Sequence, residues 1–230
     1  MTERPILFAA PLVRAILAGT KTQTRRAGGL AAVNEHPDDC EFYELLPDWR
    51  ARFRGRGPMR GRWLVVRCPY GGDRLWVRET WYCDHCFAGD YAATRKSYVG
   101  REPLTDEECI AEWKGNGGDL LYYRADGEAC DQFEQLDPPG ARIWKPSIHM
   151  PRWASRITLA VEAVRVERLH DITEEDARAE GIGEVYRTPG EEPAWTERDG
   201  FARRWSERNG RASWDANPWV WVVEFRRVVP

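Results

Sequence analysis

Lysine is nearly absent from this chain of 230 residues. Lys21, Lys96, Lys114 and Lys145 are the only four, and every other one of the 34 basic residues is Arg. Planar guanidinium groups favour phosphates and base edges, although a GC-rich genome produces the same bias. No run of 18 apolar residues occurs and the mean hydropathy is -0.64, which excludes a transmembrane helix. The opening Met1-Thr2-Glu3-Arg4-Pro5 has no basic region followed by an apolar stretch, so no secretory signal is read there. The expectation is a soluble, cytoplasmic protein with no membrane partner. Glycine-rich phosphate loops, HExxH pairs and a Ser/His/Asp order are all missing. The net charge is only -3, so nucleic-acid binding would need a local patch. The six cysteines are read as thiols in the absence of an export signal. Cys83-Asp84-His85-Cys86 has zinc-knuckle spacing but no second pair, and Cys68 or His149 would have to complete it through space. The expectation is therefore no metal and no cofactor.

Aromatic residues, by contrast, are abundant. With 12 Trp, 8 Tyr and 7 Phe the chain is a folded one. Pro5–Phe8 reads as a strand. Pro11–Gly19 reads as a helix with Leu12, Val13, Ile16 and Leu17 on one face and Gly19 as its stop. Residues 27–62 show low periodicity. Between Trp49 and Gly72 seven arginines fall with no acidic residue, which suggests an insertion ending in a basic surface loop. Leu64–Arg67, Arg74–Trp81 and Leu120–Arg124 read as strands, the last within a second insertion. Ser155–Leu169 alternates and is rich in β-branched residues, as one bent strand or two. Thr173-Glu174-Glu175-Asp176 resembles a capping box opening a helix that ends at Glu180-Gly181. Phe201–Trp205 reads as a helix and Trp219–Phe225 as a closing strand. About six strands and three short helices give an α+β, mostly β chain, a small β-barrel with peripheral helices.

Gly19-Thr20-Lys21-Thr22-Gln23-Thr24-Arg25-Arg26 resembles the signature of the ASCH domain, a branch of the PUA-like superfamily. Other segments fit in order: the strand at 72–79, the Thr-Glu-Glu-Asp-Ala helix start at 173–177, the Val-Val-Glu-Phe strand at 222–225, and Trp144–Arg156. Together they are similar to the longer ASCH proteins of bacteriophages and prophages. The resemblance implies a PUA-like pseudo β-barrel with peripheral short helices, a single domain over 1–230 with long insertions at about 27–62 and 82–143. It also implies an association with RNA and modified bases. One branch of the family hydrolyses the amide of N4-acylated cytosine nucleosides with a Lys, a Thr three residues later and a distant Glu. Thr24 matches that branch, whereas many ASCH proteins have Glu there, and the matching distant Glu is Glu180.

The chemistry of these residue types agrees. A Thr hydroxyl is a weak nucleophile without a base, and a Lys amine serves as that base when a desolvated cleft lowers its pKa. Lys21, Thr24 and Glu180 are thus the candidate catalytic set. Thr24 is the nucleophile, Lys21 the base and Glu180 the proton carrier; alternatively Glu180 activates a water while Lys21 stabilises the oxyanion. Tyr70, Trp76 and Trp153 are candidates for stacking a base, and core packing is the plainer role for Trp76. Arg26, Arg78 and Arg152 are candidates for a phosphate or base edge, or for ion pairs with acids such as Glu79. Glu79 and Ser155 complete the candidate substrate-binding set. Asn217 reads as a base-edge reader or a plain turn residue. The expected substrate is a modified cytosine nucleoside or base. The alternatives are a non-catalytic module that binds RNA or a modified nucleotide, and an ASCH ribonuclease.

Overall fold

The computed structural model describes residues 2–83, 121–126, 144–182 and 196–228. In chain order the strands are β1 (Glu3–Leu7), β2 (Gln23–Arg26), β3 (Cys40–Leu45), β4 (Arg50–Gly55), β5 (Trp63–Arg67), β6 (Arg74–Arg78), β7 (Trp81–Cys83), β8 (Leu121–Tyr123), β9 (Thr158–Arg168) and β10 (Trp219–Val228). The helices are α1 (Ala10–Leu17), α2 (Ala31–Asn34), α3 (Glu174–Ala179), α4 (Glu197–Asn209) and α5 (Arg211–Asp215). The fold is mixed, with strands predominating and the helices short. Two compact units emerge: one from Met1–Ile6, Ala15–Trp76 and Ile157–Pro230, the other from Leu7–Arg14 and Val77–Arg156.

The first unit is organised by an open five-stranded sheet in the order β1-β6-β9-β10-β2. Its spine is the long antiparallel pair β9–β10, which runs from Trp219 opposite Arg168 to Val228 opposite Thr158. The alternating segment at 155–169 is one strand. A bulge sits where Glu224 faces Ala163 but Phe225 faces Val161, leaving Glu162 as the extra residue. On β10, Val220, Trp221, Val222 and Val223 are all buried, as an interior strand covered on both faces requires. The helices α3 and α4 pack over this spine through Leu169, Ile172, Ala177, Ile182, Phe201, Trp205, Val220 and Val222. Burial of one such large side chain contributes about 1.5–3 kcal/mol, so this cluster fixes where both helices stand.

The Arg-rich stretch differs from the expected loop. β3, β4 and β5 form a separate three-stranded antiparallel sheet. The reason is a period of two: Ala51, Phe53 and Gly55 are buried, while Arg50 and Arg54 point to solvent. Of the arginines that suggested a loop, Arg50, Arg52 and Arg54 lie on β4 and Arg67 on β5, while Arg56, Arg60 and Arg62 lie in the connection between them. Four of them are met by acids of the same sheet: Arg50 by Asp48 and Arg52 by Glu44, each at 2.6 Å, Arg54 by Glu41 at 2.7 Å, and Arg56 also by Glu41. Asp38, just before this sheet, pairs with Arg168.

Helix α4 is also longer than its apolar core suggested. Thr196 and Asp199 form a capping box at its start, and Gly210 ends it at φ 84°. In the second unit, β7 pairs with β8, and Trp81, Tyr123, Met150 and Ala154 make a small core. The Cys83–Cys86 motif, the Gly-rich turn at 115–118, Cys109 and Cys130 lie outside the described residues or side chains.

Candidate active site

The signature segment is held at both ends by local geometry. After α1, Gly19 adopts φ 77°, and the backbone N–H groups of Thr20 and Lys21 both donate to the Ala15 carbonyl, at 2.9 and 3.1 Å. This is a left-handed helix stop, after which the chain is extended. β2 follows and joins the sheet with Thr24 opposite Val223.

Helix α3 supplies the other half. Thr173 accepts from the Asp176 N–H at 3.1 Å, and Asp176 returns a bond to the Thr173 N–H, so the sequence-level capping box exists. Gly181, at φ 78°, ends the helix and makes Glu180 its C-cap. A Cβ on Gly181 would stand 2.9 Å from the Ala15 Cβ and 3.1 Å from the Lys21 Cβ. Glycine there permits both the left-handed turn and the close approach of the helix end to Lys21. An isolated antiparallel bridge joins Lys21 to Glu180, and the Thr22 N–H donates to the Ala179 carbonyl at 2.9 Å.

This approach brings together residues 159 positions apart. Lys21 Nζ donates to Glu180 Oε2 at 2.7 Å, to the Gln23 carbonyl at 2.7 Å and to the Glu180 carbonyl at 2.8 Å. Glu180 Oε1 accepts from the Arg25 backbone N–H at 2.5 Å. The ion pair is essentially sealed, with side-chain exposures of 0% for Lys21 and 3% for Glu180. Burial pulls the Lys21 ammonium from 10.5 down to about 8; the attraction of Glu180 opposes that shift without cancelling it, and Arg204 and Arg26 reinforce it.

Asp176 organises the same face from below. It accepts from Gln23 Nε2 at 2.8 Å, from Arg25 Nη2 at 2.9 Å and from Arg165 Nη2 at 2.9 Å. Burial alone would raise its pKa, but the Gln23 hydrogen bond and the Arg25 charge outweigh that and hold the carboxyl at about 2. Arg25 also reaches Glu167 at 3.0 Å, so its buried guanidinium is compensated.

Beside this network opens a cleft of about 220 Å³. Thr24, Arg25, Arg26, Gly28, Glu180 and Tyr70 line it, and α4 contributes Phe201, Arg204, Trp205, Arg208 and Asn209. Thr24 and Arg26, two residues apart on a strand, share a face. The Arg26 guanidinium is pulled down to about 10, by burial first and then by the charge of Arg208. It remains a cation at neutral pH.

The other candidate binding residues have the following places. Trp76 is 7% exposed within β6, in the core of the first unit. Arg78, Glu79, Arg152, Trp153 and Ser155 belong to the second unit. There Glu79 is buried and receives Arg156 Nε and Nη2, each at 3.1 Å. Burial raises the Glu79 carboxyl, and Arg156 opposes that. Arg156, which the sequence did not single out, also reaches Asp126 at 2.7 Å and lies 3.9 Å over the Tyr123 ring. Trp153 meets Trp81 edge-on at 5.9 Å, the Ser155 hydroxyl donates to the Val77 carbonyl at 2.7 Å, Arg78 donates to the Ile148 carbonyl at 3.3 Å, and Arg152 opens a short 3-10 turn with Trp153 and Ala154. Asn217 is a left-handed turn residue whose Oδ1 accepts from the His170 N–H at 2.7 Å. Cys68 is buried, which pushes its thiol up to about 11, and His149 is exposed.

Sequence reasoning passed over Arg204 and Arg208. Their spacing of four was legible as one face of a helix. That this face meets a cleft depends on the packing of Phe201 and Trp205. Comparison of the chain with protein-family models, with curated proteins and with solved structures gives no match.

Proposed function

We propose that this protein is an amidohydrolase of the ASCH type that removes the acyl group from the N4 amide of an N4-acylated cytosine nucleoside or base, on a PUA-like pseudo-barrel. The observation that carries the reading is the buried Lys21–Glu180 pair, with Glu180 and Thr24 lining one cleft and the ammonium brought down to about 8. An amine with that pKa is neutral in a useful fraction of molecules near neutral pH and protonates readily in return.

In the proposed reaction the neutral Lys21 Nζ takes the proton of the Thr24 hydroxyl as its oxygen attacks the acyl carbonyl carbon. The tetrahedral adduct collapses with cleavage of the C–N4 bond, and the proton on Lys21 passes to the departing N4 amino group. Water then attacks the acyl-Thr24 ester with Lys21 again as base. The carboxylic acid leaves and the Thr24 hydroxyl is restored. Both Glu180 oxygens already accept hydrogen bonds, from Lys21 and from the Arg25 backbone. This supports Glu180 as the group that holds and tunes Lys21 rather than as a base toward water.

The test is incubation with N4-acetylcytidine, following the absorbance change as cytidine forms. Lys21→Ala and Lys21→Arg should lose nearly all turnover, the second because guanidinium does not deprotonate. Thr24→Ser should keep part of it and Thr24→Val none. Unchanged turnover in a folded Lys21→Ala variant sinks the mechanism.

One observation favours a second reading, an RNA-binding surface. Tyr43 and Trp63 are 56% and 46% exposed on the three-stranded sheet, with the Arg52 guanidinium 4.8 Å from the Trp63 ring centroid. Exposed rings of this kind can stack bases, but the arginines beside them are occupied by Glu41, Glu44 and Asp48.

A further inference from the structure

Helix α4 treats its two arginine spacings differently. Arg203 and Glu207, one turn apart, form an ion pair at 3.0 Å on the exposed face. Arg204 and Arg208, also one turn apart, bring the same sign to the cleft, an arrangement that disfavours the helix by itself. Arg26 from β2 joins them, and the charge of Arg208 is felt strongly enough to help depress it. Glu180 lines the same cleft, and its oxygens accept from Lys21 and the Arg25 backbone. Arg26, Arg204 and Arg208, from two elements, thus line a recess that Tyr70, Phe201 and Trp205 also line. Guanidinium forks match phosphate oxygens, and aromatic walls match a base or sugar face.

We propose that this recess is a phosphate subsite and that its ligand is a nucleoside monophosphate, with the phosphomonoester held by Arg26, Arg204 and Arg208. For the acylated base the inference rests on the amidohydrolase reading; for the phosphate it rests on the arginine cluster alone. The monoester is favoured over an RNA strand on charge and on shape. A phosphomonoester carries nearly two negative charges at neutral pH, with a second pKa of about 6, whereas a phosphodiester carries one. The cations sit in a recess of about 220 Å³, not along an open track. The Arg-rich sheet that could extend such a track is paired with its own acids.

The test is calorimetric titration of the full-length protein with cytidine, cytidine 5′-monophosphate and a short oligocytidylate lacking terminal phosphates. The monophosphate should bind at least about tenfold more tightly than cytidine, because charge-assisted bonds to the dianion are added. Its affinity should fall as pH drops through about 6 and the monoester takes up a proton. Arg204→Gln with Arg208→Gln should erase the difference between the two ligands. Equal affinities for cytidine and its monophosphate in the wild-type protein overturn the subsite and leave the amidohydrolase reading standing. Tighter binding of the oligonucleotide than of the monophosphate also overturns it. Preferential monophosphate binding without hydrolysis of N4-acetylcytidine or its monophosphate supports the subsite and removes the amidohydrolase reading.

Discussion

Replacing Glu180 by Gln tests how the buried pair sets the state of Lys21. With the carboxylate 2.7 Å away, burial still brings the ammonium from 10.5 to about 8. Each pH unit is worth about 1.4 kcal/mol, so the folded protein carries this ammonium at a cost of about 3 kcal/mol relative to water. Removing the charge of Glu180 takes away the attraction that opposes desolvation, and Lys21 must fall further. The loss has a ceiling, because the lysine can shed its proton. Deprotonating an ordinary lysine at pH 7 costs about 5 kcal/mol, so the variant loses through Lys21 no more than about 2 kcal/mol beyond what is already spent. That is below the roughly 3–5 kcal/mol of a broken buried pair whose survivor stays charged. The amide retains an acceptor for the Arg25 N–H and offers a donor to the neutral amine.

The sign follows from proton counts. Between about 8 and 10.5 the unfolded lysine binds more protons than the folded one, so wild-type stability rises with pH across that window through this group. In the variant the window extends below 8. With only four lysines in the chain, ¹³Cε labelling gives a spectrum in which Lys21 can be followed directly. It should titrate near 8 in the wild type and lower in Glu180→Gln, and the rising limb of kcat/KM should move down with it. A Lys21 resonance titrating at 8 or above in the variant, or a stability loss far over the ceiling at pH 7, would refute the reasoning.

Two further outcomes are expected. Gly181→Ala forces an L side chain into φ 78° and sets a Cβ 2.9 Å from Ala15 and 3.1 Å from Lys21. The left-handed conformation costs roughly 1–2 kcal/mol and the overpacking about 1–3 more, so thermal melting should show a large drop in Tm, and an unchanged Tm would show that the helix end has room to move. Single-stranded RNA should bind weakly, with a shallow salt dependence, because Arg50, Arg52, Arg54 and Arg56 are already neutralised. Changing Arg52, Arg54 and Arg56 to Ala should leave nucleoside turnover nearly unchanged. A slope near 5 log units per tenfold salt, about what seven phosphate contacts give, would contradict internal pairing of the sheet.

What the sequence determined by itself was local. The stop at Gly19, the capping box at Thr173, the long alternating strand at 158–168 and the apolar closing strand are each written in neighbouring residues, and each forms. The strand through Arg50–Gly55 was equally local but hidden, because charge at every second position masked the buried Ala51, Phe53 and Gly55. The same holds for the full length of α4, whose Thr196–Asp199 box and Gly210 stop lie outside its apolar core. Lys21, Thr24 and Glu180 were nominated by resemblance, but no local rule says that an ammonium and a carboxylate 159 residues apart will be sealed together at 2.7 Å. That depends on Gly181 letting a helix end approach Lys21, and on the burial that follows, which sets the state of the amine. Tertiary structure also decided that Arg204 and Arg208, by sequence an ordinary polar stretch of helix, would line a cleft. Phe201 and Trp205 are buried with Val220 and Val222 of β10, and the helix rotation that this fixes places Arg204 and Arg208 at the cleft, because apolar burial outweighs the mutual repulsion of like charges one turn apart.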